Sequence, residues 1–298
     1  NIMMLNRFQS VEKTDNGYMI HGDNADVMLV FLSDDVIRIR TSFSRSFEEA
    51  SYALVTTAWE DELDELFQEE RTRIQAKDVV CEEKEDALIF HTTALKLVMK
   101  KQPIQFLLYD AEGKLIYNDL KERAFDQDQL GRVTHYSEIH ADTDHFYGFG
   151  EKSGDWNKAQ KYMCMSPKDA MGYDPKETDS LYKHIPFYIK LNRGTRKAVG
   201  YFYHNTAECD FDMGREKSNY WNMHSRYRTD AGDIDLFFIA GPAIRQVVER
   251  YTDLTGKSAM LPRTALGYLG SSMYYPELEA DCDDAILEFI DTTKEEDI

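Results

Sequence analysis

The sequence predicts a mainly β chain, a β-sandwich followed by the first β/α unit of a (β/α)8 barrel, and three observations carry that reading. Short apolar runs recur at regular spacing from Tyr18 to Ala240 with turn residues between them. At Gly241-Pro242 the hydrophobic period changes from two to about 3.6. Beyond Leu261-Pro262 stand one further apolar run, a loop and an amphipathic helix.

From Tyr18 to Phe43 a hairpin is expected. Val27, Leu29 and Phe31 alternate with Met28, Val30 and Leu32, so both faces are apolar, whereas the alternation in Val36-Ile-Arg-Ile-Arg40 exposes one face. Residues 59 to 72 are rich in Asp and Glu, with Leu63, Leu66 and Phe67 at helical spacing, and predict a short solvated helix or loop. Strands are expected at Ala87 to Phe90, Leu95 to Met99, Ile104 to Tyr109 and Leu115 to Tyr117. More follow at Ile185 to Leu191, Ala198 to His204, Glu208 to Phe211 and Ile234 to Ala240.

Inserted among them is an irregular stretch, Phe146 to Phe187, that collects glycines, aromatics and carboxylates. Polar residues on a loop held by a rigid scaffold are where binding chemistry concentrates. After the sandwich, residues 1–241, a connecting helix and linker are expected over 242–261. Ile244, Val247, Val248, Tyr251 and Leu254 line one face of that helix, with Pro242 to open it and Gly256 to close it.

Residues 262–298 then read as a strand, Ala265-Leu-Gly-Tyr-Leu269, and a helix with Leu278, Cys282, Ala285, Ile286, Phe289 and Ile290 on one face. One β/α unit cannot bury its own apolar faces, and a complete barrel takes about 250 residues. A chain cut just inside a second domain is therefore expected.

The 298 residues are 42% hydrophobic and 12% aromatic, ample for a large core. Basic residues number 35 and acidic ones 54, and the net charge of −19 argues against nucleic-acid and anionic-membrane partners because the field repels phosphate. A neutral substrate fits that field. Cys81, Cys164, Cys209 and Cys282 are far apart, so neither a zinc site nor a disulfide framework is indicated. Ile2 to Leu5 is too short for the core of a signal peptide, and Val27 to Leu32 is far below the roughly 18 apolar residues of a membrane span. A soluble, cytoplasmic protein is expected, with a processed secretory leader as the open alternative.

Several segments together resemble glycoside hydrolase family 31: Tyr147-Gly-Phe-Gly-Glu-Lys-Ser-Gly154, Asn157-Lys158, Asp169-Ala-Met-Gly-Tyr-Asp-Pro175, Asp179-Ser-Leu-Tyr-Lys-His-Ile-Pro-Phe187 and Leu261-Pro-Arg-Thr-Ala-Leu-Gly-Tyr268. The resemblance covers roughly Pro103 to Ile298. It implies a sandwich of the galactose mutarotase type ahead of a (β/α)8 barrel, with a sandwich loop, about 162–181 here, reaching the mouth of the barrel. It further implies α-glycosidase activity without a cofactor, an α-linked sugar as substrate, and the remaining barrel of the same polypeptide as partner. Retaining hydrolysis needs two carboxyl groups about 5 Å apart. The family's two catalytic aspartates lie on later barrel strands, and nothing like its Trp-x-Asp-Met-Asn-Glu nucleophile motif occurs here, so no catalytic residue is expected in this chain.

Two positions are expected to bind sugar. Asp169 matches the aspartate that the family's sandwich loop carries toward the substrate, where a carboxylate accepts charge-assisted hydrogen bonds from hydroxyls. Tyr274 follows the expected first barrel strand, at the end where such barrels keep their sites. Met163-Cys-Met-Ser-Pro-Lys168 stands where many members have Trp-Asn, so the usual stacking platform is missing and the sugar remains unassigned.

Other features read as structural. Gly148, Gly150 and Gly154 read as turn glycines, and Tyr173-Asp174-Pro175 with Asp179 as turns. Trp156 and Trp221 are read as core or interface, and His140, Asp142, Asp144 and His145 as a structural loop with no metal. A stand-alone carbohydrate-binding sandwich is the alternative function. A mutarotase-like epimerase would need a convergent His and Glu pair that the sequence does not identify.

Overall fold

The computed structural model describes residues 2–67 and 71–298. Residues 68–70, inside the acidic stretch 59–72, lie outside the described residues. Two compact units divide the chain, Asn1–Gly256 and Lys257–Ile298.

The first unit is built on an eight-stranded antiparallel sheet. Its strands, in spatial order, are Asp144–Gly150, His184–Asn192, Lys197–Tyr203, Ile234–Ala240, Val36–Ser42, Asp26–Phe31, Gly17–Gly22 and Phe8–Lys13. One face packs on a six-stranded sheet running from Met3–Met4 to Tyr162–Met165 and on a five-stranded sheet from Leu115–Asn118 to Cys81–Glu83. Leu29, Ile39, Tyr201 and Phe238 of the large sheet share that core with Phe90, Phe106, Phe125 and Phe211 of the smaller ones.

The opposite face is covered as well. Val30, Phe202, Phe237 and Ile239 lie under Leu54 and Trp59 and under Val247 and Leu254 of a helix, Ile244–Thr255. A sheet buried on both faces needs strands apolar on both sides, which is why Val27 to Leu32 lacks alternation. The helix approaches closely: a Cβ at Gly200 would stand 2.5 Å from Val247 Cγ1, and the rings of Phe187 and Tyr251 stack at 3.8 Å. The segment expected to connect two domains is therefore packed onto the sandwich, and the first unit runs to Gly256.

Val36 to Arg40 departs from its pattern. Arg38 and Arg40, expected on a solvated face, are 1% and 5% exposed. Arg38 donates to both oxygens of Asp235, each at 2.7 Å, and to both oxygens of Glu49 at 3.0 Å, with its guanidinium 4.0 Å from the Trp59 ring centre. Burial disfavours the charges, but the ion pairs outweigh it: Arg38 is raised above its ordinary pKa and Asp235 is held far below the usual carboxylate range. Asp233, which accepts from Arg40 at 2.6 Å, is instead raised by burial and by its proximity to Asp235. Alternation cannot register this, because arginines on one side of a strand read as solvated until a partner covers them.

The acidic stretch is partly structural for the same reason. Asp64–Phe67 forms one helical turn, while Asp61 is buried, accepts the Ser51 N–H and pairs with Arg71 at 2.9 Å. A second buried polar thread runs through the main core. Asp119 accepts from the Phe106 N–H at 2.7 Å and from Tyr117, and lies 2.8 Å from His135, whose other ring nitrogen is 2.8 Å from the Tyr203 hydroxyl. Each group finds a partner, as buried polar groups must.

The second unit differs from expectation. Ala265 to Leu269 forms no strand; Arg263–Leu266 is a 3-10 turn, and Leu266, Tyr268 and Leu269 are exposed. A strand must pair its backbone with a neighbour, and among the described residues of this unit there is none. The expected helix is present as Cys282–Glu295 and buries no residue. No helix among the described residues is long and apolar enough to cross a membrane.

Removing one member of a buried ion pair strands the other's charge, so Arg38→Met is expected to lower stability by about 3–5 kcal/mol in urea denaturation. Asp235 is depressed in the fold, so its contribution is present above the ordinary carboxylate pKa and is lost as pH falls below it. Asp235→Asn should therefore flatten the loss of stability between about pH 5 and pH 2. An unchanged slope would remove Asp235 as its source.

Candidate functional site

The loop begins from a strand where an irregular segment was expected. Asp144–Gly150 is the edge of the large sheet and pairs with His184–Asn192, with a register shift between Gly148 and Gly150. The two glycines take φ of +134° and +81°, and a Cβ on either would meet the partner strand's backbone, Phe187 O at 2.6 Å or Lys183 O at 2.4 Å. They make a bulge, not a turn, and it leaves Phe149 fully buried against Tyr188 and Phe211.

From that edge the chain crosses to the other layer. Tyr162–Met165 pairs with Cys209–Asp212 of the six-stranded sheet, and then the chain returns to the large sheet at His184. The excursion between is thus rooted in two sheets. The departure from the family pattern at Met163 to Lys168 is in part a core feature, since Met163 and Met165 are buried in the sandwich.

Two lysines fasten the base of the excursion. Lys152, its side chain 2% exposed, donates to Cys164 O at 2.6 Å and to Asp179 Oδ1 at 2.8 Å. Asp179 Oδ2 in turn accepts the Cys164 N–H at 2.6 Å, closing a ring across both strands of the base. Ser180 Oγ donates to Ser166 O at 2.8 Å just beside it. Lys158 is 5% exposed and donates to Ser153 O at 2.9 Å and to Asp155 O, gathering the Lys152 to Asp155 segment around its ammonium. Burial, and then repulsion from Lys161, lowers its pKa. Asp179, expected in a turn, is therefore a clasp, while Asp174 does form one, accepting the Lys176 N–H at 2.7 Å.

Beyond the clasp the loop is exposed. Met171 is 83% exposed and Tyr173 55%. Asp169 is exposed too, and its Oδ1 accepts the Tyr182 hydroxyl at 2.5 Å, while that hydroxyl accepts the Ala170 N–H at 3.1 Å. The hydrogen bond to Asp169 raises the Tyr182 pKa. Tyr182 thus orients the carboxylate and leaves its second oxygen for an incoming donor. Tyr274 belongs to the second unit, where it is exposed and meets the ring of Tyr275 edge to face.

The remaining candidates divide. Trp156 is 90% exposed and has no place in the core, whereas Trp221 is half-buried beside Tyr136 and His224. Asp144 is buried and accepts from the His140 N–H and from Asn192, which ties a turn to the edge strand. Among the described residues no group of three His, Cys, Asp or Glu could hold a metal ion.

A cleft of about 570 Å³ elsewhere in the sandwich is lined by His204 and Asp235. Ser51 Oγ lies 2.7 Å from His204 Nε2, and His204 Nδ1 lies 2.8 Å from Asp235 Oδ2, the order of a nucleophile relay. The chemistry is blocked. Ser51 is 1% exposed, its Oγ accepts the Ala53 and Leu54 N–H groups, and Asp235 belongs to Arg38.

Lys152, Lys158 and Tyr182 all stood inside the family-like segments without an assigned role. Lys152 and Tyr182 act through partners 12 or more residues away, which local pattern could not supply, and Lys158 acts through nearby carbonyls that the loop folds around it.

Comparison with known proteins accounts for this arrangement. Residues 26–212 match the model of the glycosyl hydrolase 31 N-terminal galactose mutarotase-like domain. Alpha-glucosidase 2 of Bacillus thermoamyloliquefaciens is 29% identical over 280 residues, which span 93% of this chain and 32% of that protein. An alpha-glucosidase of Saccharolobus solfataricus is 34% identical over 154 residues, 51% of this chain and 20% of that one. A Flavobacterium johnsoniae GH31 dextranase solved with glucose superposes with a TM-score of 0.75 at 26% identity, over 89% of this chain and 30% of its own. The chain spans a third or less of the length of these relatives, and it belongs to glycoside hydrolase family 31, whose N-terminal galactose mutarotase-like domain it carries.

Proposed function

We propose that this chain is the N-terminal part of a retaining α-glycosidase, and that it shapes the substrate pocket while the catalytic carboxylates lie elsewhere in the parent polypeptide. The observation that carries the reading is the clasped loop: a buried lysine fixes its base, and its exposed tip presents Asp169 with one oxygen oriented and one free. Such preorganisation suits a group that must meet a sugar hydroxyl without first being ordered. Tyr274 is proposed as a sugar contact of the second unit. Exposed Met171 and Tyr173 on the same loop suit contact with the barrel that the family resemblance implies for the parent polypeptide.

The net charge of −19 leaves a neutral α-linked sugar as the fitting substrate class. No cofactor enters the reaction, because two carboxyl groups supply nucleophile, acid and base. The chain alone is expected not to hydrolyse glycosides, since nothing in its sequence matches the family's Trp-x-Asp-Met-Asn-Glu nucleophile motif.

In the parent polypeptide, Asp169→Ala should raise KM by about 10- to 100-fold through the loss of charge-assisted hydrogen bonds. Unchanged kinetics across α-glucosides, α-xylosides and α-galactosides would remove Asp169 from the site. Lys152→Met should reproduce the rise in KM without touching substrate and should speed hydrogen exchange over residues 166–179; slow exchange there would mean that the clasp is dispensable. Turnover of a nitrophenyl α-glycoside by the 298-residue chain, in proportion to its concentration, would contradict the division of labour.

A further inference from the structure

Beside the clasp lies a cleft of about 300 Å³ whose lining runs against the charge of the molecule. The chain carries −19 overall, yet five cationic side chains, Lys152, Lys158, Lys161, Lys176 and Arg215, face this cleft against two carboxylates. One of those carboxylates, Asp179, is already spent on Lys152 and on the Cys164 N–H.

The cations fall into two groups. Lys152 and Lys158 are buried in the wall and committed to carbonyls and to Asp179, so they supply fixed positive field. Lys161, Lys176 and Arg215 are exposed on the rim, and among the described residues no ion pair involves their side chains. They come from three separate segments, the strand entry at 161, the loop at 176 and the turn after Asp212, so sequence proximity does not explain their meeting. Like charges that outnumber Glu177 and Asp179 in one cleft repel one another, and repulsion from Lys161 adds to burial in lowering the Lys158 pKa. An anion would relieve that repulsion, and a guanidinium with two ammonium groups suits a tetrahedral oxyanion. The volume stands at the lower end for small-molecule sites, enough for a phosphate or a single phosphorylated monosaccharide.

We propose that this cleft is a binding site for a phosphate or sulfate oxyanion, free or carried as a monoester on a small molecule, separate from the sugar contact at Asp169. An anion here would bridge Lys176 of the loop to Lys161 and Arg215 of the sandwich and so brace the loop from its outer side. The inference stands on the cleft itself and does not rest on the glycosidase reading.

The test is calorimetric titration of the 298-residue chain at low ionic strength with inorganic phosphate, glucose 6-phosphate and glucose in parallel. Both phosphates should bind and glucose should not, with affinity falling as salt rises. Tighter binding of glucose 6-phosphate assigns the site to a phosphomonoester, and equal binding assigns it to the free oxyanion. The combined variant Lys161→Ala, Lys176→Ala, Arg215→Ala changes only exposed side chains, and it should keep the wild-type melting temperature without phosphate while weakening phosphate binding by at least about tenfold. Absence of phosphate binding by the wild type, or equal binding by the variant, would overturn the proposal. Retained turnover by a parent enzyme in which the variant loses phosphate binding would support it as a site apart from catalysis.

Discussion

An ammonium group taken out of water holds the functional part of this structure in place. Lys152 has a side chain 2% exposed, and its ammonium is held at the base of the loop by Cys164 O and Asp179. Asp179 in turn fixes the Cys164 N–H, so one ion pair joins the outgoing and returning strands of the excursion. The segment from Ser166 to Asp179 is tied as well by Ser180 to Ser166 O, by Ser153 to Thr178 O, by the Gly154 N–H to Pro175 O and by Tyr182 to Asp169 and Ala170. A charge pair several residues from the tip thus adds to the contacts that position Asp169.

The clasp works because its two anchors are rigid. One end grows from the large sheet, which is buried on both faces, and the other from the six-stranded sheet across the core. The Arg38, Asp235 and Glu49 cluster pins the outer covering of that sheet, and the Asp119, Tyr117 and His135 thread crosses the inner core. Fully satisfied polar networks of this kind rigidify a scaffold, as the proposed role of the loop requires.

Much of this was legible in the sequence, and the boundary is physical. Strands such as Ile104 to Tyr109 and Ile234 to Ala240 announce themselves because their apolar runs are bounded by turn residues. Val133–Glu138 and His224–Thr229 do not, since their buried positions include His135, Ser137, His224 and Ser225, polar residues whose partners lie elsewhere in the chain. Arg38 and Arg40 misled for the same reason. At the site, Asp169 came from an ordered series of motifs, but Lys152 and Tyr182 gain their roles from contacts that only the fold brings together. Ala265 to Leu269 has the composition of a strand and no neighbour to make it one.

The proposed role of the loop turns on where Asp169 stands when sugar is bound. A crystal structure of the parent polypeptide with a non-hydrolysable α-glycoside tests this most directly. The account predicts a carboxylate oxygen of Asp169 within about 2.5–2.9 Å of a sugar hydroxyl, with Lys152 and Asp179 still paired beneath it. A bound sugar walled entirely by other residues, with Asp169 turned to solvent, would contradict it.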